Sequence, residues 1–182
     1  MSRYHIPEIE TNRLLLRALN PSDAADMYEY ASDAETTYYL SFDAHQSIQD
    51  SEYAIREIFM KRPENESPES FAIVLKDSGK MIGTCDFWKV AGDETYEMGY
   101  ILNKSYWGKG IMSEAARAVL KFAFNDFGVR RMVLRHHADN VGSRKVAIKQ
   151  GFVYEGTTRR VTKLENRYVD LLIYSILDEE FK

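Results

Sequence analysis

The sequence predicts a mixed α/β domain, and three observations carry that prediction. Segments with helical spacing of apolar residues alternate with short apolar runs of strand character. One stretch, residues 94–137, reads strand, glycine loop, helix, strand, which is a βαβ crossover. The 182 residues are 45% hydrophobic and 29% charged, enough length and apolar content for a substantial core in one globular unit spanning 1–182.

Taken in order, Thr11 to Ala18 (T-N-R-L-L-L-R-A) is a compact apolar run ended by Asn20-Pro21, and predicts a first strand. A helix should open at Pro21-Ser22-Asp23, with Ser22 as cap and Ala24, Ala25, Met27, Tyr28 and Ala31 marking one face. Thr36 to Phe42 is aromatic and irregular. Ser47 to Met60 predicts a second helix, and Arg62 to Glu69 (R-P-E-N-E-S-P-E) is the most loop-like segment. Three strands should follow, Phe71 to Leu75, Lys80 to Val90 and Glu94 to Leu102, and their short connections favour an antiparallel meander. After the glycine loop a helix is expected from about Ser113 to Phe127, with Gly128 as its C′ residue. Arg131 to His137 reads as a strand parallel to the one before the loop. Asn140 to Lys149 reads as a helix stopped at Gly151. Phe152 to Glu155, Arg159 to Leu164 and Arg167 to Leu177 complete the sheet, with Glu165-Asn166 as a hairpin in which Asn tolerates positive φ.

Charge and cysteine usage narrow the function classes. The formal net charge of −4 argues against a general nucleic-acid binder, although Gly128 to Lys149 gathers several cations against the single acid Asp139. The lone Cys85 forms no intramolecular disulfide and suits a reducing compartment; in its apolar run it reads as a small core residue. No window reaches a membrane-spanning length, so a cytoplasmic protein is expected.

The chemistry concentrates at Tyr106-Trp107-Gly108-Lys109-Gly110-Ile111-Met112. Two glycines just before a helix let the backbone turn tightly and bring its N–H groups to an anion, where the first helical turn adds free donors and a positive dipole end. A Walker loop needs a Ser or Thr after its Lys, but Gly110 follows Lys109. A dinucleotide fingerprint needs a third glycine where Ser113 stands, and an acid near 130 where Arg130 and Arg131 stand. Neither pattern fits.

An ordered series of motifs along nearly the whole chain does fit a third family. Thr11-Asn12-Arg13-Leu14-Leu15-Leu16-Arg17 opens it and Met81-Ile82-Gly83 follows. Its most specific block is Glu97-Met98-Gly99-Tyr100-Ile101-Leu102 with Tyr106-Trp107-Gly108-Lys109-Gly110-Ile111-Met112-Ser113-Glu114-Ala115. Asn140, Ser143, Lys149-Gln150-Gly151-Phe152, Tyr168-Val169-Asp170 and Tyr174-Ser175-Ile176-Leu177 close it. In these residues the chain resembles the GNAT acetyltransferases, and within them the group related to ribosomal-protein N-terminal acetyltransferases. One departure is Ser105, where the broad family has Gln or Arg; a donor side chain is lost, and backbone N–H groups are left to make the cradle.

The resemblance implies a central mixed sheet of about seven strands, largely antiparallel, with one parallel pair splayed apart and helices on its flanks. It implies acetyl-CoA as cosubstrate and no metal. Backbone groups around Ile101 and Leu102 would pair with the pantetheine arm, and Trp107, Gly108, Lys109, Gly110, Ile111, Met112 and Ser113 would supply N–H groups to the pyrophosphate. Asn140 matches a cofactor contact; Lys149 reads equally as a contact or a solvated helix residue. Glu97 matches a carboxylate used as base in related enzymes, with a substrate anchor or exposed strand carboxylate as the alternative. Ser143 matches a serine near the thiol, and reads otherwise as a capping hydroxyl; Tyr174 is a weaker candidate acid that could simply pack. His136 and His137, adjacent on a strand, face opposite sides and cannot share one ion. The acceptor is a primary amine on a small molecule or on a protein or peptide N-terminus, with no nucleic-acid or membrane partner. Homodimers are common in such folds, and the sequence carries no mark of one. Residues Thr36 to Met60, with the acids Asp43, Asp50, Glu52 and Glu57, would bear on acceptor choice or be solvated helix charge. The rival reading is a non-catalytic acyl-CoA sensor with the same fold.

Overall fold

A computed structural model describes residues 4–92 and 94–182. Its elements run β1 (Ile9–Glu10), β2 (Leu14–Ala18), α1 (Ala24–Ala31), α2 (Ala34–Thr37), α3 (Ile48–Tyr53), β3 (Phe71–Leu75), β4 (Met81–Ala91), β5 (Thr95–Leu102), α4 (Ile111–Phe122), β6 (Arg131–His137), α5 (Val141–Gln150), β7 (Val153–Leu164) and β8 (Arg167–Leu177). The strands form one eight-stranded sheet in the order β1-β2-β3-β4-β5-β6-β8-β7, where about seven were expected. Every neighbouring pair is antiparallel except β5 and β6, which are parallel. The short β1 adds to the expected set. The last segment before the final hairpin is one strand, since bulges at Tyr154/Gly156 and Thr158/Thr162 let β7 run where two strands were anticipated.

Local chemistry explains several boundaries. Asn20, not Ser22, caps the turn that leads into α1: its side chain accepts from Ser22 N–H at 2.8 Å, while Asp23 reaches back to Asn20 N–H. Asp50 closes the corresponding box at α3, and that helix continues as a π-helical segment, Ala54–Phe59, inside the span predicted as one helix. Gly128 and Gly151 end their helices with left-handed φ of +93° and +87°. In the β7–β8 hairpin the left-handed residue is Glu165 (φ +53°), whereas the sequence favoured Asn166.

Two cores result, one on each sheet face. The larger packs α4 and α5 on Phe71, Ile73, Cys85, Phe87, Met98, Met132, Leu134 and Ile176. Cys85 is fully buried there, and burial pushes its thiol pKa up, as befits a packing residue. The smaller places Met27, Tyr30 and Ile55 on the opposite face over Ala72 and Val74. Among the described residues no helix is long and apolar enough to cross a membrane.

Candidate functional site

The site begins where the sheet comes apart. Strands β5 and β6 pair only at Thr95↔Arg131, Tyr96↔Met132 and Glu97↔Val133. Beyond that level β5 stays with β4 as far as Gly83↔Leu102, and β6 stays with β8 as far as His137↔Leu171. A fork opens between them. Asn103 N–H donates to Ile82 O on β4 (2.8 Å), so two-residue alternation turns Ile101's polar groups to β4 and those of Tyr100 and Leu102 to the fork. That leaves strand-edge donors and acceptors for an extended, amide-bearing ligand.

The loop leaving β5 closes one end of the fork. Trp107 pins it twice: its backbone N–H donates to Lys104 O (3.0 Å) and its indole Nε1 to Leu102 O (2.7 Å). Its N–H is thus committed to the turn rather than offered to an anion. Gly108 and Gly110 follow with φ of +73° and +74°, a left-handed conformation that disfavours any residue with a Cβ. Gly110 stands at the N-cap of α4 with no side-chain cap, so the first-turn N–H groups of Ile111, Met112 and Ser113 are left for an outside acceptor. Across the fork, Asn140 caps α5 by accepting from Ser143 N–H at 3.0 Å. Both helices therefore aim positive ends at one space.

That space is a cavity of about 440 Å³. Tyr100, Ile101 and Leu102 line it from the strand, Trp107, Gly108, Gly110, Ile111, Met112 and Ser113 from the loop and α4, and Asn140 and Ser143 from α5. Thr36, within α2, and Tyr39 and Leu40, just after it, line it as well, and Tyr39 OH reaches Asp139 O at 3.3 Å. Of the residues singled out from sequence as contacts or catalytic groups, Lys109, Glu97, Lys149 and Tyr174 do not line it. Lys109 folds back, its Nζ donating to Ser105 O (2.9 Å) above the Tyr106 ring. Glu97 lies at the root of the fork, its carboxylate held by Arg135 through Nε (3.0 Å) and Nη2 (2.5 Å). That bond raises the Arg135 pKa further.

Tyr174 is buried against the stacked ring of His136 (5.4 Å) and the edge of Tyr154, outside the cavity lining. His136 is buried with Nδ1 against His137 O, and burial lowers its pKa; His137 lies instead against Tyr39 (5.6 Å). Among the described residues no cluster of His, Cys, Asp or Glu is placed to hold a metal. Two of the acids considered for acceptor choice have local tasks: Asp50 caps α3 and Glu57 pairs with Lys61.

Several site residues escaped sequence reasoning. Glu114 accepts from Thr11 Oγ1 (2.6 Å), Arg13 N–H (3.0 Å) and Arg13 Nε (2.8 Å), while Arg13 Nη1 donates to Lys109 O (2.9 Å). The turn between β1 and β2 thereby braces the glycine loop. Gln150, whose Nε2 donates to Ser113 O (2.9 Å), ties the end of α5 to the start of α4. Tyr100 was read only as strand; its hydroxyl lies 3.5 Å from Ser143 O, and burial raises its pKa. Lys149 Nζ lies 3.9 Å from where a Cβ on Gly110 would stand, so this cation does sit at the loop.

The Glu114 brace has a pH signature. Burial pushes this carboxyl's pKa up, but the bonds from Thr11 and Arg13 outweigh that and leave it below its ordinary value. A depressed folded-state pKa stabilises the protein above the unfolded value of about 4.3, and that stability is lost as pH falls through the folded value. Glu114→Gln should therefore lower Tm by about 3–12 °C near neutral pH, from hydrogen bonds worth about 1.5–3 kcal/mol to a charged group. Melting curves of the two proteins should converge in acid. An equal gap at every pH would count against the brace.

Residues 13–153 match the family model described as acetyltransferase (GNAT) domain. The uncharacterized N-acetyltransferase YnaD of Bacillus subtilis is 32% identical over 95% of this chain and 98% of its own. The ribosomal-protein-serine acetyltransferase of Escherichia coli is 32% identical over 60% of this chain and 62% of its own. Among solved structures, the microcin C7 self-immunity acetyltransferase MccE, in complex with acetyl-CoA and AMP, superposes with a TM-score of 0.80. It is 25% identical and covers 92% of this chain and 93% of its own.

Proposed function

The chain belongs to the GNAT acetyltransferases, and on that premise we propose that it carries an acetyl group from acetyl-CoA directly to a primary amine, on a protein N-terminus or a small molecule. The observation that carries this reading is the convergence of an unpaired strand edge and two helix N-termini on one cavity. The open edge suits the amides of a pantetheine arm, and the first turn of α4 suits a pyrophosphate. The bound MccE structure supports acetyl-CoA as donor, and the N-acetyltransferase relative YnaD supports a nitrogen as acceptor.

In this reading the neutral amine attacks the thioester carbonyl carbon, a C–N bond forms, the C–S bond breaks, and the thiolate takes a proton. Glu97 receives the ammonium proton, directly or through water. Arg135 occupies one lone pair on each of its oxygens, and each oxygen keeps another. In the same proposal Ser143 donates to the sulfur and Asn140 orients the arm; that both line the cavity at the start of α5 supports this. A single domain across 1–182 and a cytoplasmic setting belong to the same proposal.

Free-thiol release from acetyl-CoA, measured over a panel of N-terminal peptides and small amines, tests it. Turnover on at least one amine is expected. Tight acetyl-CoA binding with no turnover on any acceptor would favour the sensor.

A further inference from the structure

The fork has a fastening that the cosubstrate reading does not use. Glu97 faces Val133 in the last paired register of β5 and β6, and Arg135 lies two residues beyond, on the same face of β6. The guanidinium reaches back across the opening gap and grips both Glu97 oxygens. This ion pair joins the two strands at the level where their backbone ladder ends. The Glu97 side chain is 9% exposed and that of Arg135 48%, so the pair is anchored at β5 and open at β6.

We propose that the Arg135–Glu97 pair is a clasp across the root of the fork. Arg135 is then a positioning residue for acetyl-CoA, setting the β5–β6 spacing at which the open edge of β5 meets the pantetheine arm. Above the clasp each strand is held only by its other neighbour, β4 for β5 and β8 for β6. A bidentate, planar pair fixes distance and angle together, which one ammonium contact does not. The pair as a whole contributes little net stability, because desolvating Glu97 offsets its attraction to the half-exposed Arg135. Its loss should therefore be read first in the slot it spans.

The inference rests on acetyl-CoA lying in the fork, and the test separates the two. Acetyl-CoA affinity is measured by calorimetry for the parent and for Arg135→Met, Arg135→Lys and Glu97→Gln/Arg135→Met, with Tm recorded for each. Arg135→Met is expected to weaken acetyl-CoA binding about tenfold and raise its KM in step. Arg135→Lys, which keeps the charge but not the fork of donors, should recover part of the loss. The double variant leaves no unpaired buried carboxylate, so it carries the same measurement if Arg135→Met folds poorly. A folded variant lacking Arg135 that binds acetyl-CoA within about twofold of the parent overturns the clasp and leaves the cosubstrate reading standing. A parent that binds no acetyl-CoA overturns both.

Discussion

Replacing Gly83 with alanine is expected to lower Tm by about 10 °C, from an overpacking cost of about 3 kcal/mol. A Cβ at this position would stand 2.2 Å from Ile101 O and 3.1 Å from Leu102 Cα. Both neighbours are backbone, so no side chain can swing aside to make room. Gly83 follows a bulge where the register slips from Ile73↔Gly83 to Val74↔Met81, and the close approach of β4 to β5 occurs there. Because Ile101 and Leu102 form the β5 side of the fork, acetyl-CoA affinity should fall together with stability. Gly156→Ala is the control: nothing lies within 4 Å of its Cβ position, and the substitution should be nearly neutral. Thermal melts of the two variants against the parent decide the matter. A Gly83→Ala protein as stable as the parent would mean that β4 and β5 part easily, and the rigid fork wall would have to be abandoned.

That dependence on Gly83 shows what the sequence could and could not disclose. Met81-Ile82-Gly83 stood among the matching motifs, but nothing in three residues says that a carbonyl presses on the third. Elements with strong local signals were legible: Phe71–Leu75, a short apolar run, and Arg131–His137, a Met-Val-Leu centre between Gly128 and Asp139-Asn140, have the predicted bounds. The glycine loop was legible because positive φ at Gly108 and Gly110 is a local backbone demand. Long-range pairings were not. Arg13 meets Glu114 across 101 residues, and Arg135 meets Glu97 across 38, distances over which no periodicity carries information. Tyr100 sits inside the most specific block, yet nothing in its sequence neighbours shows that the α5 N-terminus lies against its hydroxyl. At Lys109 the expectation concerned the backbone N–H; the turn of its ammonium to Ser105 O is a contact that no motif discloses.

The same limits bear on Glu97, where the largest catalytic effect is expected. Glu97→Gln should lower kcat by about 10²–10⁴-fold, the range for losing a positioned general base. The amide retains the shape of the carboxylate, and its oxygen can still accept from Arg135. Its NH₂, however, would meet a guanidinium N–H, so one of the two bonds is lost and acetyl-CoA affinity should fall only several-fold. The pH dependence separates base from anchor. An α-amine has a pKa of about 7.7–8.0, so most of an N-terminal acceptor is protonated at lower pH and needs a base before it can attack. In Glu97→Gln that deprotonation must come from solvent, and kcat should climb with pH until the amine is neutral. The deficit against the parent should accordingly shrink above about pH 8. If Glu97 only anchors the ammonium, the substitution raises the KM for the acceptor and leaves kcat nearly unchanged. Steady-state kinetics for both substrates over this pH range resolve the two. A deficit confined to the acceptor's KM would remove Glu97 from the proton path while leaving its grip on Arg135 intact.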